Sequence, residues 1–117
     1  MKNGDAVAAL TALAQEHRLA VFRLLVQAGP EGLPAGQVAD ALDLAPNTLT
    51  FHFDRLRVAG LVTVRREGRS MIYAARFEAM NALLDYLTEN CCQGSAETRA
   101  PATCNPARSS KRKKVSA

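Results

Sequence analysis

The stretch "PNTLTFHFDRLRVAGLVTVRREGRSMIY", residues 46–73, changes its periodicity halfway, and that change decides the fold. In its first half Leu49, Phe53 and Leu56 recur at helical spacing behind Pro46, a residue suited to the first turn of a helix, and Gly60 ends the run. In its second half Val62 and Val64 alternate with Thr63 and Arg65. The dipeptide Glu67-Gly68 can supply a two-residue turn, and Met71 and Tyr73 return on the face of Val64 and Val62. A helix followed at once by a hairpin with the charged tip "RREGR" is therefore expected.

Upstream, "PAGQVADALDL" (residues 34–44) reads as a shorter helix with Val38, Ala39 and Leu42 inward and Pro34 in its first turn, joined to the longer one through "LAP". A short helix, a tight turn and a second helix rich in polar and basic residues make the helix-turn-helix pattern, and the hairpin behind it is the wing of a winged helix. Two more helices precede this unit. One carries Val7, Leu10 and Ala14 at helical spacing, with Asp5 where an N-cap would sit. The other runs from about residue 16 to 28, with Val21, Leu24, Leu25 and Ala28 on one face and Gly29-Pro30 as its stop. A fifth helix, "FEAMNALLDYLTENCC" (residues 77–92), places Phe77, Met80, Leu84, Leu87 and Cys91 on a narrow seam of the kind that packs against another helix, plausible in a dimer. The expected fold class is mainly α with a small antiparallel hairpin: five helices and a two-stranded wing, dimerising through the terminal helices. From residue 94 onward small residues, Pro and charge replace any apolar period, so residues 1–93 form the expected domain and 94–117 a flexible basic tail.

Length and charge narrow the function classes. A chain of 117 residues can bury a core without disulfides or a structural metal. No basic start followed by an apolar run marks a signal peptide and no stretch is apolar enough to span a bilayer, so the expectation is a cytoplasmic protein with reduced thiols. The net charge of +4 is uneven: residues 95–117 hold six basic residues and one acid, which leaves residues 1–94 at −1. Affinity for DNA in the body must then come from local charge, and residues 47–69 carry +3. With Leu49, Phe53 and Leu56 inward, the outer face of the fourth helix offers Asn47, Thr50, Phe51, His52 and Arg55, and the wing adds Arg65, Arg66 and Arg69. Asn pairs with adenine, Arg with guanine or phosphate, Thr with either kind of group, and Phe touches a thymine methyl. His17 reads as structural, and the terminal "KRKK" as a solvated run adding salt-sensitive affinity for DNA.

In its order and spacing of "HRL", "RLL", "TLTFHFDRLRVAGLV" and "REGRSMIY", the segment 16–75 resembles the winged-helix domain of the ArsR/SmtB family of metal-responsive bacterial repressors. The resemblance implies a homodimer on operator DNA that leaves when an inducer binds. The third helix lacks the cysteine pair that arsenic-responsive members often carry there. The fifth helix lacks the histidine a zinc-type site needs, and the second lacks the thiol of a persulfide-sensing pair.

What remains is Cys91, Cys92 and Cys104. Three thiolates without histidine make a soft ligand set that suits trivalent arsenic or antimony, each taking three sulfurs in a pyramid, better than structural zinc. Closing the loop from Cys92 to Cys104 has a modest entropic cost. Two other readings stay open: Cys91 as a buried small hydrophobe on the helical seam, and a disulfide from Cys104 to one of the pair, formed by oxidants. The expected function is a transcriptional repressor released by As(III) or Sb(III), with a redox or other thiophilic-metal sensor of the same fold as the alternative. No organic cofactor is implied. An enzyme is disfavoured, since the chain has no C-x-x-C, no histidine near the thiols and no glycine-rich phosphate loop.

Overall fold

The computed structural model describes residues 1–93; Cys104, the "KRKK" run and the rest of the expected tail lie outside the described residues. The chain divides into two units, Met1–Tyr86 and Leu87–Ala117. The elements are α1 (Asn3–Leu13), α2 (Glu16–Ala28), β1 (Leu33–Pro34), α3 (Ala35–Leu42), α4 (Pro46–Val58), β2 (Val62–Glu67), β3 (Ser70–Ala75) and α5 (Phe77–Thr88). This is the expected winged helix-turn-helix. Among the described residues no helix is long and apolar enough to cross a membrane.

Local chemistry sets the boundaries. The Gln15 side chain accepts a hydrogen bond from the Arg18 amide at 2.9 Å, capping α2, and Gly29 ends that helix at φ 91°. In the turn between α3 and α4, Asp43 takes the left-handed conformation (φ 54°), which Asp tolerates better than most residues, and Pro46 then starts α4. The core forms where these helices meet. Val21 and Leu25 of α2, Val38 of α3, Leu49, Phe53 and Leu56 of α4, and Leu61 are fully or almost fully buried. Each large apolar side chain so removed from water contributes about 1.5–3 kcal/mol of transfer free energy.

The wing differs from expectation in two respects. Glu67 pairs with Ser70, so the two turn residues are Gly68 and Arg69, one step later than Glu67-Gly68. Gly68 alone of the two has positive φ, 63°, the pattern of a type II′ turn with glycine first. The sheet also has three strands, not two, in the order β1-β3-β2, because Leu33 and Pro34 pair with Tyr73 and Ile72. Gly32 permits this approach: at φ 75° it passes so close to the Tyr73 carbonyl that any Cβ would collide with it. Pro34 therefore lies in the strand and as the N-cap of α3, just before its first turn.

The outer helices also depart from the pattern. Lys2, not Asp5, is the N-cap of α1, and Asp5 lies in the first turn. The buried face of α1 consists of Ala6, Ala9 and Ala12, whereas Val7 and Leu10 are exposed at 52% and 43%. Alanine is chosen where α1 lies close against its own domain, so the larger residues face outward. In α5 the buried residue is Leu83; Phe77 and Met80 are half-buried, and Leu84 and Leu87 are exposed. Tyr86 donates a hydrogen bond to the Asn3 side chain at 3.0 Å, tying α5 to the start of α1.

Candidate nucleic-acid interface

The outer face of α4 is set by what its inner face must do. Leu49, Phe53 and Leu56 fill the core, so Asn47, Thr50, Phe51 and Arg55 are left exposed, as expected. The Thr50 hydroxyl donates to the Pro46 carbonyl at 3.0 Å, so its remaining capacity outward is to accept. The Arg55 guanidinium lies over the Phe51 ring, 4.9 Å from its centroid, in a cation–π contact on the open surface. Arg57 makes an exposed ion pair with Asp54 at 3.4 Å, which contributes little to stability. Thr48, also exposed in the first turn of α4, belongs to the same surface and was not among the expected residues; its place directly after Asn47 was the available signal.

His52 does not share that surface. It is only 6% exposed, tilted against His17 of α2 at 5.6 Å between ring centroids, with the Phe51 ring 5.7 Å away in an edge-to-face arrangement. Its place on the helix turns it toward α2. Its buried Nδ1 has no hydrogen-bond partner, and burial, then the Arg18 and His17 charges, push its pKa below the usual imidazole value. His52 is a neutral core histidine that supports α4 from behind. His17 is exposed and supplies the face on which His52 rests.

The wing is aligned with α4 by one aromatic contact. Phe53 of α4 stacks on Tyr73 of β3, with ring centroids 3.6 Å apart and planes 4° from parallel. Tyr73 is in turn the register partner of Val64 on β2, so strand and recognition helix share a core element. Arg65 is held in place: its Nε donates to Glu67 at 2.7 Å and its Nη2 to the Glu31 carbonyl at 2.8 Å. Arg66 donates to the Gly68 carbonyl at 3.2 Å, and Arg69 is exposed in the turn itself. The hairpin tip thus presents three guanidiniums, one of them partly neutralised by Glu67.

The thiols stand apart from this surface in the chain. After α5, Asn90 and Cys92 adopt left-handed conformations (φ 61° and 68°), and the Cys91 amide donates to the Thr88 carbonyl at 3.0 Å. This turn leaves Cys91 exposed and free, so it is not a buried residue of the α5 seam. The Cys91 and Cys92 sulfurs lie 3.2 Å apart, and Cys92 is disulfide-bonded. Among the described residues no three His, Cys, Asp or Glu side chains gather as a metal site; the expected trio includes Cys104, which lies beyond them.

Known proteins share this architecture. A helix-turn-helix domain family matches residues 13–65. The chain is similar to YceK of Bacillus subtilis, an HTH-type transcriptional regulator (34% identical over 73 residues, 62% of this chain and 72% of the relative). It is also similar to the transcriptional activator HlyU of Vibrio cholerae (30% over 93 residues, 80% and 83%). The solved HlyU structure superposes with a TM-score of 0.61 at 29% identity, covering 80% of this chain and all of that one. A solved ArsR family transcriptional regulator superposes with a TM-score of 0.66 at 25% identity over 86% of this chain and 98% of its own.

Proposed function

Because this chain belongs to the helix-turn-helix transcriptional regulators, of the ArsR-like winged-helix type, we propose that it is a homodimeric repressor that leaves operator DNA when its cysteines are engaged. The exposed face of α4 enters a major groove, with Asn47, Thr50, Phe51 and Arg55 toward base edges, while Arg65, Arg66 and Arg69 of the wing contact the flanking phosphates. His52 is removed from that set, since it lies in the core.

A second copy completes the molecule. Val7 and Leu10 of α1 and Leu84 of α5 are large apolar residues exposed on the first and last helices. Covering them with a partner's α1 and α5 relieves that exposure and spaces two recognition helices for successive major grooves, about 34 Å apart. Regulation then requires only that an inducer favour a dimer with the wrong spacing, and a coupling of a few kcal/mol suffices.

For the inducer, the supporting observation is the 3.2 Å approach of the Cys91 and Cys92 sulfurs at the end of α5. Once the Cys92 disulfide is reduced, two thiolates this close, joined by Cys104, would hold one trivalent arsenic or antimony through three sulfurs. A second reading, release by oxidants, is supported by the disulfide at Cys92. Operator release distinguishes the two. Arsenite should free the DNA under reducing conditions, and Cys91→Ser, Cys92→Ser or Cys104→Ser should each abolish the response. Release by peroxide alone, with arsenite inert, would favour the redox reading; no response to either in any variant would defeat both.

A further inference from the structure

The Phe51–Arg55 contact says more about the operator than that arginine is present. Residues i and i+4 lie about 6 Å apart along a helix axis. Here the guanidinium is drawn back over the ring, to 4.9 Å from its centroid. That separation falls between one and two steps of about 3.4 Å along a DNA strand. Among the described residues Arg55 has no carboxylate partner, so the ring is what orders it, and its five N–H donors remain open. Phe51 is 49% exposed, and among the described residues its ring and cation contacts are with Arg55 and, edge-to-face, His52. On a helix bound in the major groove, a flat apolar ring stacked with an ordered guanidinium presents two different groups to neighbouring base pairs. The apolar one matches the thymine 5-methyl, and the forked donor matches guanine O6 and N7.

We propose that Phe51 and Arg55 act as one specificity-determining unit that selects a guanine with a thymine one or two base pairs away in each half-site. This rests on the DNA-binding reading above and adds to it the identity of two bases and the coupling between their readers. Phe51 has two roles: it touches the methyl, and it holds Arg55 in the orientation in which both guanine acceptors can be met at once. Losing the ring should therefore weaken reading of the guanine as well as of the thymine.

The test needs no variant at first. Operator duplexes selected by the full-length protein from a randomised pool are rebuilt with deoxyuridine in place of each thymine, removing only the methyl, and with 7-deazaguanine in place of each guanine. The expected result is one thymine per half-site whose methyl loss weakens binding about fivefold or more, within two base pairs of a guanine whose N7 loss does the same. In Phe51→Ala and in Phe51→Leu, deoxyuridine at that thymine should have no further effect and the guanine penalty should shrink. In Arg55→Lys the guanine penalty should shrink while the thymine penalty stays. Sequence-selective binding with no methyl-sensitive thymine within two base pairs of a sensitive guanine would overturn the unit and leave the regulator reading intact. Absence of any selected sequence would overturn both.

Discussion

Helices α1 and α4 follow opposite rules. In α4 the large apolar residues Leu49, Phe53 and Leu56 are buried and the outer face carries polar groups plus Phe51. In α1 the buried residues are three alanines, and the larger Val7 and Leu10 face outward. A hydrophobic pattern reports burial in the finished assembly. For α4 the single chain already supplies that burial, whereas for α1 the proposed second copy would supply it.

If that contrast is right, truncating each helix's large residues should have different consequences. Phe53→Ala should have the largest effect, a loss of about 3–5 kcal/mol of stability, because it opens a cavity where α4 meets Tyr73. Thermal denaturation should show a markedly lower midpoint, with DNA binding lost alongside the fold. Leu10→Glu should leave the stability of the isolated chain unchanged to within about 0.5 kcal/mol, as surface substitutions do. It should convert the dimer to monomer by sedimentation and weaken operator binding by about a hundredfold, since the second half-site no longer benefits from linkage. A Leu10→Glu protein that stays dimeric would break the contrast.

Smaller effects sharpen it on the α4 side. Arg66→Ala should weaken binding to all DNA sequences alike and lower the salt-dependence slope by about one, as expected for the loss of one phosphate contact. An effect confined to the operator would instead make Arg66 a base reader. The smallest effect is on pH. His52 has a folded pKa below its ordinary value of 6.5, so the unfolded chain takes up its proton first. Its stabilising share is complete above pH 6.5 and is lost as pH falls from there through the lowered folded value. Denaturant midpoints measured between pH 7.5 and 5 should decline, and His52→Phe should flatten the part of that decline due to this residue.

Much of this was legible in the sequence, for identifiable reasons. The helix-turn-helix and wing were readable because Pro46, Gly60 and the switch from period 3.6 to period 2 are local signals, and each acts within a few residues. What was not legible depended on distant partners. His52 looked exposed because helical spacing alone cannot show that His17 approaches from α2. The third strand was hidden because Leu33-Pro34 is too short to show a period, and its pairing depends on Gly32 clearing the Tyr73 carbonyl. The alanine face of α1 was not legible because alanine counts as weakly apolar, yet close helix packing favours it over valine or leucine. The three-cysteine set is an expectation from the residue types alone, and it includes Cys104, which lies outside the described residues.

The measurement that bears most directly on the account is the mass of the complex on a short operator duplex, determined for the native chain and for Leu10→Glu at matched concentrations. Two native chains per duplex are expected, bound together over two successive major grooves, with only weak single-chain binding by Leu10→Glu. One native chain per duplex, held as tightly as by the variant, would contradict it.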